Sequence, residues 1–168
     1  ELDVRALCLI RETLARHSGL ADFAFAMQGL GSGAISLFGA PALKEAWLPA
    51  VARGEKIAAF ALSEENAGSD AAALKTRAVR DGSVYKLTGT KQFISGAGAS
   101  DIYVVMARTG EDGPKGVSTF VVPKDAPGVR LVRSLSVFGH EHIPCGHFEI
   151  AYDNVRVPAQ NLLLGEGR

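Results

Sequence analysis

The sequence is poor in the features that mark secreted, membrane-bound or nucleic-acid-binding proteins. It has two cysteines, Cys8 and Cys145, too few for a disulfide scaffold and in keeping with a reducing compartment. It has no net charge, 18 Lys plus Arg against 18 Asp plus Glu, which removes the electrostatic case for binding nucleic acid or an anionic membrane surface. Residues Glu1 to Arg5 lack the basic start and apolar run of a signal peptide. Internal repeats, low-complexity tracts and any collagen-like period are absent, although Gly numbers 19 and Pro 7. What the 168 residues do have is 47% hydrophobic content, enough to bury a core as one domain or as two small ones sharing it.

The stretch from Phe23 to Leu43 carries no charge and is tested first as a membrane span. Gln28, Ser32, Ser36, four glycines and Pro41 dilute it below the sustained bulky apolarity a span needs, so a buried helix of a soluble bundle is expected instead.

Helical periodicity covers three segments. Leu2, Ala6, Leu9, Ile10 and Leu14 recur with charged residues between them, which predicts an amphipathic helix over residues 2–16. A second helix, over about 20–38, has Phe23, Met27, Leu30, Ala34 and Leu37 along one stripe. Ala26, Gly29 and Gly33 form another stripe of small residues only, read equally as tight helix packing or as the wall of a ligand pocket. A third, over about 41–53, opens with Pro41, where a missing N–H costs nothing.

After Gly54 the pattern changes to short runs of Val, Ile, Thr, Phe and Tyr between Gly and Pro turns, the mark of antiparallel β structure. Asp81-Gly82 is a strong hairpin signal, because a type I′ turn needs positive φ. Strands are expected over 57–62, 78–80, 83–95, 102–107, 117–122, 129–132, 148–152 and 155–157. The fold class is therefore α+β, a helical segment followed by a β-barrel or sandwich.

Two apparent sites are set aside. Gly29-Leu30-Gly31-Ser32-Gly33 resembles a phosphate-binding glycine loop but follows no strand and lies inside helical periodicity. His140, His142, Cys145 and His147 crowd four metal-capable side chains together, yet their spacing matches no tetrahedral pattern and no second cluster completes it; a polar loop entering a strand is expected. No Gly-x-Ser-x-Gly elbow supports nucleophilic serine catalysis.

The informative segment is Ala61-Leu62-Ser63-Glu64-Glu65-Asn66-Ala67-Gly68-Ser69-Asp70-Ala71-Ala72-Ala73, where a strand stops in small and polar residues and restarts as a short helix. Ser69 or Asp70 is the expected cap, and the amides around Gly68 and Ser69 would make an anion site. Leu62 and Ser63 would offer a backbone N–H and a hydroxyl to a flat polar ring, and Lys91-Gln92-Phe93-Ile94-Ser95-Gly96 a second edge with an aromatic wall. Each piece alone is an ordinary turn; the pair together is less ordinary.

These residues resemble the acyl-CoA dehydrogenases, flavoproteins with an N-terminal helical domain, a middle β domain and a C-terminal helical domain. The 61–73 segment agrees with that family's first signature. Leu37-Phe38-Gly39 followed by Lys44 to Leu48, the Lys91 to Ser95 stretch, and Asp153 to Pro158 leading to Asn161 through Gly165 support it in the right order. Residues 1–56 would belong to the N-terminal domain and 57–168 to the middle domain, with no counterpart of the C-terminal domain.

The resemblance implies FAD as cofactor, with Phe60, Ala61, Leu62 and Ser63 lining the flavin and Ser63 near its pyrimidine edge. Gly68 and Ser69 would meet the pyrophosphate, and Ser69 also the acyl-CoA substrate. Phe93, a Trp in many members, would pack on the ring, and Ile94 and Ser95, the latter replacing a Thr, would address the edge that accepts hydride. The implied reaction is α,β-dehydrogenation of an acyl-CoA thioester to the trans-2-enoyl-CoA, as in fatty acid β-oxidation. Its base is a Glu of the C-terminal domain, so no catalytic residue is assigned here and the 168 residues alone are expected to be inert. Glu64 and Glu65 are expected to be structural. The small stripe of the second helix suggests a long or branched acyl chain. Implied partners are electron-transferring flavoprotein and further copies of the chain, as homodimer or homotetramer. The implied location is the cytoplasm of a bacterium, or the mitochondrial matrix or peroxisome of a eukaryote. Acyl-CoA oxidases and flavin-dependent monooxygenases share the fold and remain alternatives, as does a non-catalytic β-barrel binding module. Where relatives read Gly-x-Arg-x-Ser, this sequence has Gly139-His140-Glu141-His142-Ile143, and no role carries over.

Overall fold

The computed structural model describes residues 3–137 and 146–168. Asp3 starts α1 (Val4–His17) by accepting hydrogen bonds from the amides of Arg5 and Ala6. Ser18 both ends α1 and caps α2 (Gly19–Phe38), its hydroxyl accepting from the Ala21 amide. A bidentate Arg11–Asp22 pair at 2.8 Å fixes the angle between these two helices. Pro41 opens α3 (Pro41–Ala52) as expected.

The rest is one eight-stranded sheet: β1 (Ala58–Ala61), β2 (Arg77–Asp81), β3 (Val84–Ser95), β4 (Ile102–Arg108), β5 (Val117–Pro123), β6 (Val129–Leu135), β7 (His147–Pro158) and β8 (Leu162–Leu163). Its order is β6-β7-β3-β2-β4-β5-β8, with β1 added to β4. The α+β class and the Asp81-Gly82 hairpin are as the sequence predicts.

Four details differ. The strands expected over 148–152 and 155–157 are one, β7, because Asn154 adopts φ +49° and absorbs an irregular step opposite Thr88 without breaking the ladder. β1 pairs with β4 in parallel, and so does the single Arg77–Arg108 step of β2, so the sheet is mostly rather than wholly antiparallel. The two-residue β8 was too short to register as a pattern. And α2 is not a buried helix: only Gly31 and Ile35 are buried, while Leu30, Leu37 and Phe38 are about half exposed. Among the described residues, no helix is long and apolar enough to cross a membrane.

Two cores follow from the alternation of side chains. Ala59 and Ala61 of β1 and Tyr103, Val105 and Ala107 of β4 face an inner core with Tyr85, Phe120 and Tyr152. Ala58 of β1 and Ile102 and Val104 of β4 face outward onto Ile35 and Leu43 of the helices. β4 is thus covered on both sides, which is why it reads as a nearly continuous apolar run.

Candidate functional site

The site begins with how α2 docks. Its Gln28 side chain substitutes for a neighbouring strand at the edge of β1: Oε1 accepts from the Ala58 amide at 3.0 Å and Nε2 donates to the Ala58 carbonyl at 3.4 Å. Three residues on, Gly31 lies so close that a Cβ there would be 2.4 Å from the Ala58 carbonyl oxygen. Close approach of the small-residue helix therefore happens at Gly31. At Gly29 and Gly33 a Cβ would meet nothing within 4 Å, so among the described residues the seam does not run along Gly29 and Gly33.

This docking sets Met27 and Leu30 across from β1 and encloses a cavity of about 210 Å³. Its floor comes from two segments distant in sequence. Phe60, Leu62 and Ser63 arrive at the end of β1, and Phe93, Ile94 and Ser95 at the end of β3. The backbones of the two segments are joined by a 2.8 Å bond from the Gln92 amide to the Ser63 carbonyl. The Ser63 hydroxyl has no partner among the described residues. No carboxylate lines this cavity among the described residues.

Phe93 stands out in this wall. It is 57% exposed, and it sits at φ +56°, a left-handed conformation that costs a bulky residue of order 1–3 kcal/mol. Two residues of β3, Gln92 and Phe93, face one of β7 between Lys91–Ile150 and Ile94–Phe148, so the bulge turns the ring out of the strand. Backbone strain of this kind clusters at ligand-binding sites.

Below the cavity a buried ion pair holds the signature segment. Lys91 is fully buried, and its Nζ donates to the Leu62 carbonyl at 2.9 Å and to Glu64 Oε1 at 2.7 Å. Glu64 in turn accepts from the amides of Lys75 and Thr76. Burial pushes the Glu64 carboxyl up, but the bonds from Lys91, Thr76 and Lys75 outweigh it and hold it below its ordinary value. Burial draws the Lys91 ammonium down against the opposing pull of Glu64. Arg108, also buried, donates to the carbonyls of Leu74 and Ala72 and ties down the far end of the segment. Glu64 is accordingly a structural residue, as expected from the sequence.

Not every predicted residue reaches the cavity. Ala61 points into the inner core and is fully buried. Gly68 and Ser69 are exposed in the loop beyond Glu64, outside the cavity wall, and their amides have no partner among the described residues. The short helix expected after them is a single 3₁₀ turn, Ala71–Ala73, and Asp70 makes no side-chain capping bond, so no helix dipole backs these amides. Three residues are too few to build the aligned amides that such a dipole needs. The His140, His142 and Cys145 part of the metal-capable cluster lies outside the described residues. A second cavity of about 330 Å³, larger but walled by polar residues such as Glu65, Lys75 and Thr90, opens on the other side of the ion pair and carries none of the assigned residues.

Sequence reasoning missed three contributors. Gln28 looked like a dilution of an apolar run, Arg108 fell outside the strand expected over 102–107, and His147 was read as one of four metal-capable side chains where a polar loop enters a strand. His147 Nδ1 is 2.9 Å from the Ser95 hydroxyl.

Residues 59–155 match the family model of the acyl-CoA dehydrogenase middle domain, and residues 1–55 that of the acyl-CoA dehydrogenase N-terminal domain. The chain belongs to the acyl-CoA dehydrogenase family. It is 37% identical over 161 residues to the mitochondrial isobutyryl-CoA dehydrogenase of Dictyostelium discoideum, covering 95% of this chain and 38% of that protein. It is also 37% identical over 162 residues to the cyclohexane-1-carbonyl-CoA dehydrogenase of Geobacter metallireducens, covering 96% and 42%. The crystal structure of acyl-CoA dehydrogenase from Geobacillus kaustophilus superposes with a TM-score of 0.86 at 31% identity, covering 99% of this chain and 44% of that one. The chain thus spans about two fifths of the length of the relatives it matches.

Proposed function

We propose that this chain forms the flavin-binding floor of an FAD-dependent enzyme that converts an acyl-CoA thioester to its trans-2-enoyl-CoA. The observation that carries the reading is the meeting of the β1 and β3 ends: a strained, exposed Phe93, an unpartnered Ser63 hydroxyl and the Ser95 hydroxyl surround one cavity with apolar Met27 and Leu30 opposite. The cavity has the size of a ring system and not of a whole dinucleotide, so the remainder of FAD would run along the surface toward the unpaired amides of Gly68 and Ser69.

When bound, FAD supplies the hydride acceptor of the reaction. The residues of this chain bind and orient it. Phe93 would pack on the ring, Phe60 and Leu62 would keep water from it, and Ser63 and Ser95 would offer hydroxyls to its edges, with the Ile94 backbone beside Ser95 while its side chain is buried in the inner core. Ser69 would meet the pyrophosphate and also the acyl-CoA. As the family resemblance implies, the base that takes the α proton is assigned to polypeptide outside residues 1–168; among the described residues no carboxylate lines the cavity. A long or branched acyl chain is proposed from the small-residue stripe of the second helix, although Gly29 and Gly33 are not in the cavity wall; the names of the two relatives carry a branched and a cyclic acyl group. Electron-transferring flavoprotein is proposed as the electron acceptor and a homodimer or homotetramer as the assembly. The proposed compartment is the cytoplasm in a bacterium, and the mitochondrial matrix or peroxisome in a eukaryote.

The test is the visible spectrum of the protein expressed from its complete reading frame. Oxidised-flavin bands at one FAD per chain are expected. A colourless protein that takes up no added FAD would overturn the reading.

A further inference from the structure

We propose that His147 is a positioning residue of this site: it holds the Ser95 hydroxyl so that its proton points into the cavity, as a donor to the edge of the bound ring. The inference rests on the flavin reading above. Ser95 and His147 are register partners across β3 and β7, and Ser95 Oγ lies 2.9 Å from His147 Nδ1. β7 runs between β3 and β6, where His147 is opposite Leu135, so its backbone is held from both sides. One residue on, the Gly96 amide donates to the Gly146 carbonyl at 2.9 Å, which closes the ladder at the cavity end. The imidazole is therefore delivered to Ser95 by two strand pairings and not by a free loop.

A serine hydroxyl has one proton and accepts through two lone pairs. If Nδ1 is bare, Ser95 must donate to it and offers the cavity lone pairs alone. If Nδ1 carries its proton, it donates to Ser95 Oγ, and the Ser95 proton is free for the cavity. At the edge that accepts hydride an oxidised flavin presents acceptor atoms, so at that edge only the second arrangement makes Ser95 a partner for it. Donation from His147 also polarises the hydroxyl and strengthens the bond it makes. The family resemblance implies a ring-edge role for Ser95 and is silent about the histidine 52 positions later that sets its polarity.

The experiment compares the FAD-bound protein from the complete reading frame with S95A, H147L, H147N and the S95A/H147L double variant. The readouts are FAD affinity and the position of the flavin's visible band. H147L should weaken FAD binding about three- to ten-fold, the worth of one hydrogen bond, and move the band in the same direction as S95A. H147N, which keeps a donor, should return to within about two-fold of the parent. In the S95A background, H147L should add nothing. A full additive effect in the double variant, or a parent-like band in H147L, would overturn the inference while leaving the flavin reading intact. ¹⁵N NMR of the unaltered protein with FAD gives a check that needs no substitution: a proton on His147 Nδ1 supports the assignment and a bare Nδ1 overturns it. A parent protein that takes up no FAD removes the flavin reading and this inference together.

Discussion

Phe93 and Lys91 are two residues apart on β3 and serve the site in opposite ways. Phe93 is strained and exposed, and Lys91 is relaxed into a buried ion pair. Replacing Phe93 by glycine removes the cost of φ +56° and also removes the ring. F93G should leave the melting temperature unchanged or raised by a few degrees, while FAD affinity falls at least ten-fold; thermal melts and flavin titration measure the two. A fall in both would mean that the ring supports the fold and not the ligand. Glu64 gives a pH prediction. Its folded carboxyl titrates below the ordinary value of 4.5, so the stability it contributes is present above pH 4.5 and disappears as pH falls through the lower folded value. E64Q leaves Lys91 buried without its counter-charge and should lose about 3–5 kcal/mol at pH 7, with a flatter acid limb in urea melts from pH 7 to pH 3. Sequence reasoning found Phe93 because the Lys91 to Gly96 stretch offers an aromatic beside polar groups and because the family resemblance assigns that position to the ring. It placed Glu64 among structural residues but not opposite Lys91, since that pairing depends on bringing together positions 27 apart in the chain.

At the scale of elements, the docking of α2 on β1 decides whether the cavity exists. The sequence revealed that this helix carries a stripe of small residues, but not which of its glycines meets the sheet. Gly29, Gly31 and Gly33 are locally equivalent, and only the position of Ala58 selects Gly31. A leucine at Gly31 would collide with backbone, which cannot yield as a side chain end can. G31L should cost about 1–3 kcal/mol and, by lifting Met27 and Leu30 from the cavity, weaken FAD binding; differential scanning calorimetry with and without FAD reads both effects. The same distinction between local and distant information explains the strands. The Asp81-Gly82 hairpin and the double-sided burial of β4 are written in local pattern. The parallel addition of β1 to β4, the continuity of β7 through Asn154 and the two-residue β8 depend on partners elsewhere in the chain.

For the whole molecule, family and fold class were legible because several short motifs occur in the right order across the chain, and the family models match at 1–55 and 59–155. The floor of the candidate site was legible for the same reason. Its supports, Gln28, Arg108 and His147, were not, since each acts on a backbone or hydroxyl group far away in sequence. The central claim is that this floor serves acyl-CoA dehydrogenation. Anaerobic titration of the flavin-loaded protein, from its complete reading frame, with saturated acyl-CoAs of straight and branched chains tests it most directly. The account predicts that the oxidised-flavin absorbance bleaches on addition of a long or branched acyl-CoA, with the enoyl-CoA formed in equal amount. A bound flavin that no acyl-CoA bleaches would contradict it.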